Sequence, residues 1–170
     1  HKEYRRQRQM CIRDRAKRDI DYVLMSNNFY LKSAKSHEEI RSHEWSKGMS
    51  ETVASVVDLG ALPIYLGDNP RPPDKLLQCL TGHVDDVSGC FAKRSESTRS
   101  DFSIAGRQLI ESAGGLYVDV ADLMCSEATC PGVVGNILLY RDWSHLTKEG
   151  TELMMPVVGG MIQEYIDKTS

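Results

Sequence analysis

Two residues near the carboxyl end of the sequence have the types and the spacing of a catalytic acid and base. Asp142 and His145 lie three residues apart in LLYRDWSHLTKEG, residues 138–150. A carboxylate at this spacing can accept the imidazole Nδ1 proton, which leaves Nε2 free to take a proton from a hydroxyl group. Such pairs are also common as surface ion pairs, so their place in the fold must decide between the two interpretations.

The elements around this pair predict an α/β fold. Three short apolar runs ended by turn residues are expected to be strands: 21–29, 61–67 and 116–124. Three segments with helical periodicity are expected to be helices: 38–59, 101–115 and 148–167. The segment 71–100 is expected to be loop with one short helix. Alternating strands and helices are typical of a parallel sheet with helices on both faces, a three-layer arrangement.

In such sheets, ligands bind beyond the carboxyl ends of the strands. That rule places the expected site at residues 26–28, at residues 67–70, and in the loop that carries Asp142 and His145. The position of the pair therefore favours chemistry over a plain surface contact.

A basic arm precedes the expected fold. Residues 1–19 carry eight Lys/Arg and three Asp/Glu, whereas the remaining residues carry 13 and 21. The arm lacks apolar periodicity and interleaved aromatics, so nucleic acid is not expected as a partner. Its QRQMCIRDR stretch resembles translated adapter sequence. We therefore expect residues 1–18 to be non-native or disordered and residues 19–170 to form one domain, a length typical of a single domain.

Four of the five cysteines form two loop-closing pairs, Cys79 with Cys90 and Cys125 with Cys130. Neither spacing is typical of a zinc site, and no histidine lies at ligand spacing beside them, so we expect no metal. Two local disulfides are the favoured interpretation and indicate an oxidising compartment, with free buried thiols as the alternative.

A family resemblance rests on several stretches together. YRDWSHLTKEG resembles the last sequence block of SGNH hydrolases. The stretches DYVLMSNNFY, ALPIYLGDNPRPP, LYVDVADLMCSEATC and GNILLYRDWSHLT together resemble the SGNH domain that is fused to membrane O-acyltransferases of the acyltransferase-3 type. The likeness covers about residues 19–168 and implies an SGNH or flavodoxin-like fold.

The resemblance also implies a chemistry. Asp142 and His145 would be the acid and base of a Ser-His-Asp triad, and Asn27 or Asn28 would supply an oxyanion donor. The substrates would be an acyl donor and a glycan acceptor of the cell envelope, with no cofactor. The partner would be a membrane acyltransferase domain, and the location the periplasmic or outer face of the inner membrane.

The sequence departs from the family at the nucleophile. SGNH enzymes carry a Gly-Asp-Ser block on their first strand, whereas the one Gly-Asp pair here is Gly67-Asp68, followed by Asn69. We interpret residues 67–70 as a plain turn. The expectation is therefore a fragment that lacks its first strand and its nucleophile, and is close to inactive by itself.

Two alternatives to the acyltransferase remain open. One is a secreted SGNH esterase, and the other is a non-catalytic glycan-binding module of the same fold. Beside the catalytic pair, Trp143 is expected to pack against its neighbours, with stacking on a sugar as the alternative.

Overall fold

The computed structural model describes residues 20–30, 32 and 40–170. The chain divides into two compact units. The first unit comprises the residues up to Leu66 together with Asp101–Tyr117, and the second comprises Gly67–Ser100 together with Val118–Ser170. The expectation for residues 1–18 lies outside the described residues.

The described elements include the strands and helices that the sequence predicts, in the expected order, with several shorter elements between them. In chain order they are β1 (Tyr22–Ser26), α1 (Ser42–Asp58), β2 (Leu62–Leu66), α2 (Leu76–Gly82), β3 (Ala92–Lys93), α3 (Arg94–Ser97), α4 (Ser100–Ser112), β4 (Leu116–Val118), α5 (Val120–Met124), β5 (Thr129–Cys130), β6 (Val133–Val134), β7 (Ile137–Leu138) and α6 (Lys148–Thr169). No helix among them is both long enough and apolar enough to cross a membrane.

Parallel strands form the main sheet, in the order β1-β2-β4. β1 and β2 run parallel, with Leu24 opposite Ile64. β2 is the middle strand, and its central residues Pro63, Ile64 and Tyr65 are all buried. This matches the continuous apolar run expected of a strand covered on both faces.

An aromatic core fills the first unit. Trp45 on α1 meets the ring of Phe29 edge-on, with the centroids 5.4 Å apart, and Phe29 stacks on Phe102 of α4 at 5.2 Å. Tyr65 stacks on Tyr117 at 5.5 Å. Each such side chain contributes roughly 1.5–3 kcal/mol on burial, so this cluster is the main source of stability in the unit.

The second unit is more regular than the sequence suggests. Residues 71–100 were expected to be loop with one short helix, but they form α2, a 3-10 turn over Val87–Cys90, β3 and α3. β3 pairs with β5, so Ala92 lies opposite Cys130. The expectation fails because these elements are too short to show a period in sequence and depend on contacts with distant residues.

The strand expected over 116–124 ends early. β4 stops at Val118, and the Asp119 side chain then accepts a hydrogen bond of 3.1 Å from the Ala121 backbone N–H. Asp119 thereby caps α5. A capping aspartate within an apolar run changes its structure from strand to helix, which apolar content alone does not reveal.

The last helix is uninterrupted, although it contains Pro156 and the Gly159-Gly160 pair, residues that weaken or kink helices. α6 continues from Lys148 to Thr169 through both features. Val158, which is 1% exposed, holds this stretch in the second unit. Its burial offsets the poor helix propensity of its neighbours.

Both expected disulfides are present, Cys79–Cys90 and Cys125–Cys130. Cys90 and Cys130 are buried, at 3% and 2% exposure. The first bond links α2 to the 3-10 turn, and the second closes the short loop between α5 and β5.

Removing the two disulfides should destabilise the chain unequally. The bonded residues are 11 apart in one pair and 5 apart in the other. Chain entropy therefore predicts losses of about 3 kcal/mol for Cys79→Ala/Cys90→Ala and about 2 kcal/mol for Cys125→Ala/Cys130→Ala. Urea unfolding of both double variants measures the two losses. A larger loss from the shorter loop would contradict loop closure as the cause.

Candidate active site

The predicted acid and base lie on one closed turn between β7 and α6. Tyr140 and Leu146 form an antiparallel bridge at the base of the turn. Just inside the bridge, the Arg141 N–H donates to the His145 carbonyl at 3.0 Å. The backbone itself thus fixes both ends of the segment that carries Asp142 and His145.

Asp142 and His145 contact each other directly. The His145 Nδ1 atom lies 2.9 Å from Asp142 Oδ1 and 2.8 Å from Oδ2. A carboxylate only accepts, so Nδ1 carries the proton in the neutral imidazole and Nε2 presents a lone pair. Nε2 has no hydrogen-bond partner among the residues that the structure describes. The pair therefore has the geometry of a general base with its orienting carboxylate.

The turn also holds the Asp142 carboxylate ionised. The backbone N–H groups of Ser144 and His145 donate to Oδ1 at 2.9 and 2.8 Å. These two bonds are the main cause that lowers the pKa of Asp142 from 3.8 to about 2, and the His145 imidazole adds a smaller effect. Because the pKa of Asp142 is lower in the folded state, ionised Asp142 stabilises the fold. This contribution is complete above the unfolded pKa of 3.8 and is lost as the pH falls through about 2.

A carbon-13 NMR titration of the Asp142 carboxyl should give a pKa of about 2. In His145→Ala the pKa should stay well below 3.8, because both backbone donors remain. His43→Ala, which removes an exposed histidine on α1, is the matched control and should change nothing. A return to the ordinary value in His145→Ala would identify the imidazole, rather than the backbone, as the main cause.

The residues that follow anchor the turn to α6. Thr147 caps this helix, because its Oγ1 accepts from the Gly150 N–H at 2.9 Å and donates to the Leu138 carbonyl at 2.6 Å. Gly150 approaches the chain closely: a Cβ there would lie 2.9 Å from the Leu139 carbonyl oxygen. The threonine and the glycine of HLTKEG therefore place the start of α6 against the strand before it.

A residue that is distant in the sequence forms a hydrogen bond with this turn. The Asn69 carboxamide donates to the Ser144 carbonyl at 3.1 Å and to the Pro70 carbonyl at 3.2 Å. Residues 67–70, interpreted as a plain turn, directly follow the middle strand β2, and the bond to Ser144 adds a structural role for Asn69. Asn69 links the turn after β2 to the loop that carries Asp142 and His145.

An open cleft of about 480 Å³ surrounds His145. Asn69, Arg141, Ser144, Lys148 and Thr151 are among its lining residues. Its side chains bring no metal-binding set. Within the described ranges, the one candidate metal group is Cys79, His83 and Cys90, whose two sulfur atoms are joined in the disulfide.

The sequence model of the family described as "SGNH domain (fused to AT3 domains)" matches residues 4–159. The match extends over most of the chain and includes the Asp142–His145 turn. The chain belongs to this SGNH family. The resemblance seen in the sequence motifs is therefore confirmed.

A solved structure gives an independent view of the SGNH fold. The structure of the Salmonella ser. Paratyphi A lipopolysaccharide acetyltransferase periplasmic domain is similar to 89% of this chain, with a TM-score of 0.68 and 17% sequence identity. This chain covers 60% of the length of that domain. The likeness confirms the expected α/β fold with a parallel sheet. A search of curated proteins found no match.

The other two predicted site residues of the SGNH domain, Asn27 and Asn28, lie in the first unit, just after β1. The Tyr65 hydroxyl donates to Asn27 Oδ1, and Asn27 Nδ2 donates to the Asn28 carbonyl at 3.3 Å. Asn28 Oδ1 accepts from the Tyr30 N–H at 2.6 Å. Both carboxamides stabilise the local turn, and the oxyanion role that the resemblance gives them stays a prediction.

Sequence analysis of the SGNH domain missed several supporting residues. Trp143 was expected to pack, but it is 62% exposed, and the Arg71 guanidinium lies over its ring at 4.6 Å. Asn69 and Arg71 gave no signal, because each acts on residues more than seventy positions away. The capping role of Thr147 was recognisable, since threonine before a helical pattern is a common N-cap.

Proposed function

We propose that this chain is the extracytoplasmic SGNH domain of a membrane O-acyltransferase that acetylates hydroxyl groups of a cell-envelope glycan. The main support is the Asp142–His145 pair, in which Nδ1 bonds the carboxylate and Nε2 has no hydrogen-bond partner within the described ranges. Membership of a family fused to AT3 domains supports the membrane partner. The two disulfides and the periplasmic source of the similar structure support the location.

In the proposed reaction, a serine oxygen attacks the acyl carbonyl of the donor while His145 Nε2 takes the serine proton. The imidazolium then gives that proton to the departing group of the donor. In the second half, a glycan hydroxyl attacks the acyl-serine ester, and its proton passes through Nε2 to the serine oxygen. Asp142 holds the imidazole in the required tautomer throughout both halves.

The serine is assigned to a Gly-Asp-Ser block outside residues 19–170. The hydroxyls beside His145 do not fit the role. The Ser144 Oγ atom lies 3.4 Å from Nδ1, the nitrogen already bonded to Asp142. Thr147 Oγ1 bonds the Leu138 carbonyl and the Gly150 N–H, and Thr151 Oγ1 donates to the Thr147 carbonyl.

The test uses the complete protein in cells that lack other envelope acetylation and are fed labelled acetate. Label in purified envelope polysaccharide, released by mild base, is the expected result for an acetyltransferase. Release of free acetate from an ester substrate, with no label in polysaccharide, would identify an esterase instead. Polysaccharide binding with neither activity would identify the non-catalytic module and overturn the proposal.

A further inference from the structure

The open cleft around His145 carries positive charge that no step of the proposed reaction uses. Arg141 and Lys148 are among its lining residues, and none of the described residues that line it is acidic. The rest of the chain has the opposite balance, since residues 20–170 carry 13 Lys/Arg and 21 Asp/Glu. A concave surface lined by one sign of charge concentrates its electric field and raises the local concentration of ligands of the other sign.

The two cations lie on either side of His145 in the chain. Arg141 begins the turn, where its backbone N–H donates to the His145 carbonyl at 3.0 Å. Lys148 is the first residue of α6 and follows His145 by three positions. Both side chains and the imidazole line the same cleft. An anionic group bound by the two cations therefore lies beside the proposed general base.

Neither cation has a strong partner within the described part of the chain. Arg141 Nε lies 3.7 Å from Asp142 Oδ2, and Lys148 Nζ lies 3.5 Å from Glu152 Oε1. Neither side chain donates a hydrogen bond to another described residue. The Arg141 side chain is 66% exposed and that of Lys148 is 80% exposed, and exposed ion pairs at such distances add little stability. Both side chains can therefore turn toward a ligand at little cost.

We infer that the acceptor sugar carries an anionic group, a carboxylate or a phosphate, which Arg141 and Lys148 bind while His145 takes the proton of the attacking hydroxyl. The planar guanidinium can donate two parallel hydrogen bonds to either group, and the ammonium adds a second positive charge. A cleft of about 480 Å³ that is open to solvent suits one residue within a longer glycan. The inference rests on the proposed function, and it assigns an acidic rather than a neutral sugar as the residue that is acetylated.

The experiment follows the imidazole signals of the full chain by NMR at constant pH. The sequence holds five histidines, and His145→Ala identifies the signal of His145. The probes are methyl glucuronide, glucose 6-phosphate and the neutral methyl glucoside, with sodium acetate and inorganic phosphate as free anions. At least one acidic sugar should shift the His145 signal saturably and bind about tenfold or more tightly than methyl glucoside. About 1 M NaCl, at which the screening length is about 3 Å, should remove most of this preference.

Variants then test the two contacts. Arg141→Gln and Lys148→Gln should each weaken binding of the acidic sugar about fivefold and leave the weaker binding of methyl glucoside unchanged, because each removes one charge. Lys168→Gln removes an exposed cation at the other end of α6, and this matched control should bind normally. In Arg141→Gln the pKa of Asp142 should stay at about 2, because hydrogen bonds within the turn lower it. An unchanged value shows that weaker binding does not come from a disturbed turn.

Several results would overturn the inference. One is an affinity for methyl glucoside equal to that for both acidic sugars. Another is an equal shift from sodium acetate or inorganic phosphate, which would indicate an adventitious ion only. Normal binding of the acidic sugar by both Arg141→Gln and Lys148→Gln would exclude the two contacts, and the absence of a His145 shift with every probe would exclude the site.

The two proposals can fail separately. Mass spectrometry of polysaccharide acetylated by the complete protein, after enzymatic depolymerisation, shows whether the acetylated residue carries a carboxylate or a phosphate. Acetyl groups on neutral residues alone would refute the acidic acceptor and leave the acetyltransferase. Binding of an acidic sugar beside His145 without any acetyl transfer by the complete protein would refute the proposed reaction and leave a site for acidic sugars.

Discussion

His145→Ala in the complete protein is expected to lower acetyl transfer to polysaccharide by about a thousandfold or more. In the proposed reaction this variant lacks the imidazole that takes the proton of the attacking hydroxyl. The His145 side chain is 61% exposed, so its removal should leave the free energy of unfolding nearly unchanged. Label incorporated from acetate into polysaccharide measures the transfer rate.

Two further variants test whether the loss of acetyl transfer is specific to the Asp142–His145 pair. His43→Ala removes another exposed histidine and should transfer acetyl groups normally. Asp142→Asn keeps an oxygen that can accept the backbone N–H bonds, but it lacks the carboxylate that holds the Nδ1 proton, and it should also lose about a thousandfold. Full activity in His145→Ala would refute the role of His145 as the general base.

Gly115→Ala should produce the largest loss of stability, about 4 kcal/mol. A Cβ at this position would lie 2.2 Å from the Pro63 carbonyl oxygen and 2.9 Å from Ile110 Cγ2. Pro63 is in β2, where it lies opposite Val23 of β1, so relief would require the middle strand to move. Urea unfolding followed by circular dichroism measures the loss.

Gly48→Ala is the matched control for this prediction. Gly48 lies within α1, and a Cβ there would meet no atom within 4 Å. Alanine is the better helix former, so this variant should be more stable by about 0.5–1 kcal/mol. If Gly115→Ala changed the free energy of unfolding as little as Gly48→Ala, or in the same direction, β2 would be shown to accommodate the added methyl group.

The longer helices and strands could be predicted, because the pattern of apolar positions lies within each element's own residues. The positions of Trp45, Met49 and Val53 mark α1, and each of these side chains is buried. The short elements of the second unit could not be predicted in this way. β3 and β5 are two residues each and exist because they pair with each other across the chain.

The same division applies to the candidate site. Asp142 and His145 were predicted because both lie within one turn, where a separation of three positions keeps the two side chains close together. The contact from Asn69 to Ser144 spans 75 residues and leaves no local pattern. The contact between Trp143 and Arg71 likewise joins two separate loops. A single sequence reveals neither contact, since nothing in it records which distant loops meet.

The closed turn of Asp142 and His145 also has a consequence for how the protein responds to heat. The entropy lost in bringing two groups together grows with the length of chain between them, and here only three positions separate the pair. A bond between such close positions therefore costs less entropy to form than a bond between distant positions. On warming, the base and its carboxylate should therefore stay assembled after the contact between Asn69 and Ser144 has loosened. Thermal inactivation would then begin with misalignment of the turn that carries Asp142 and His145 rather than with its disassembly.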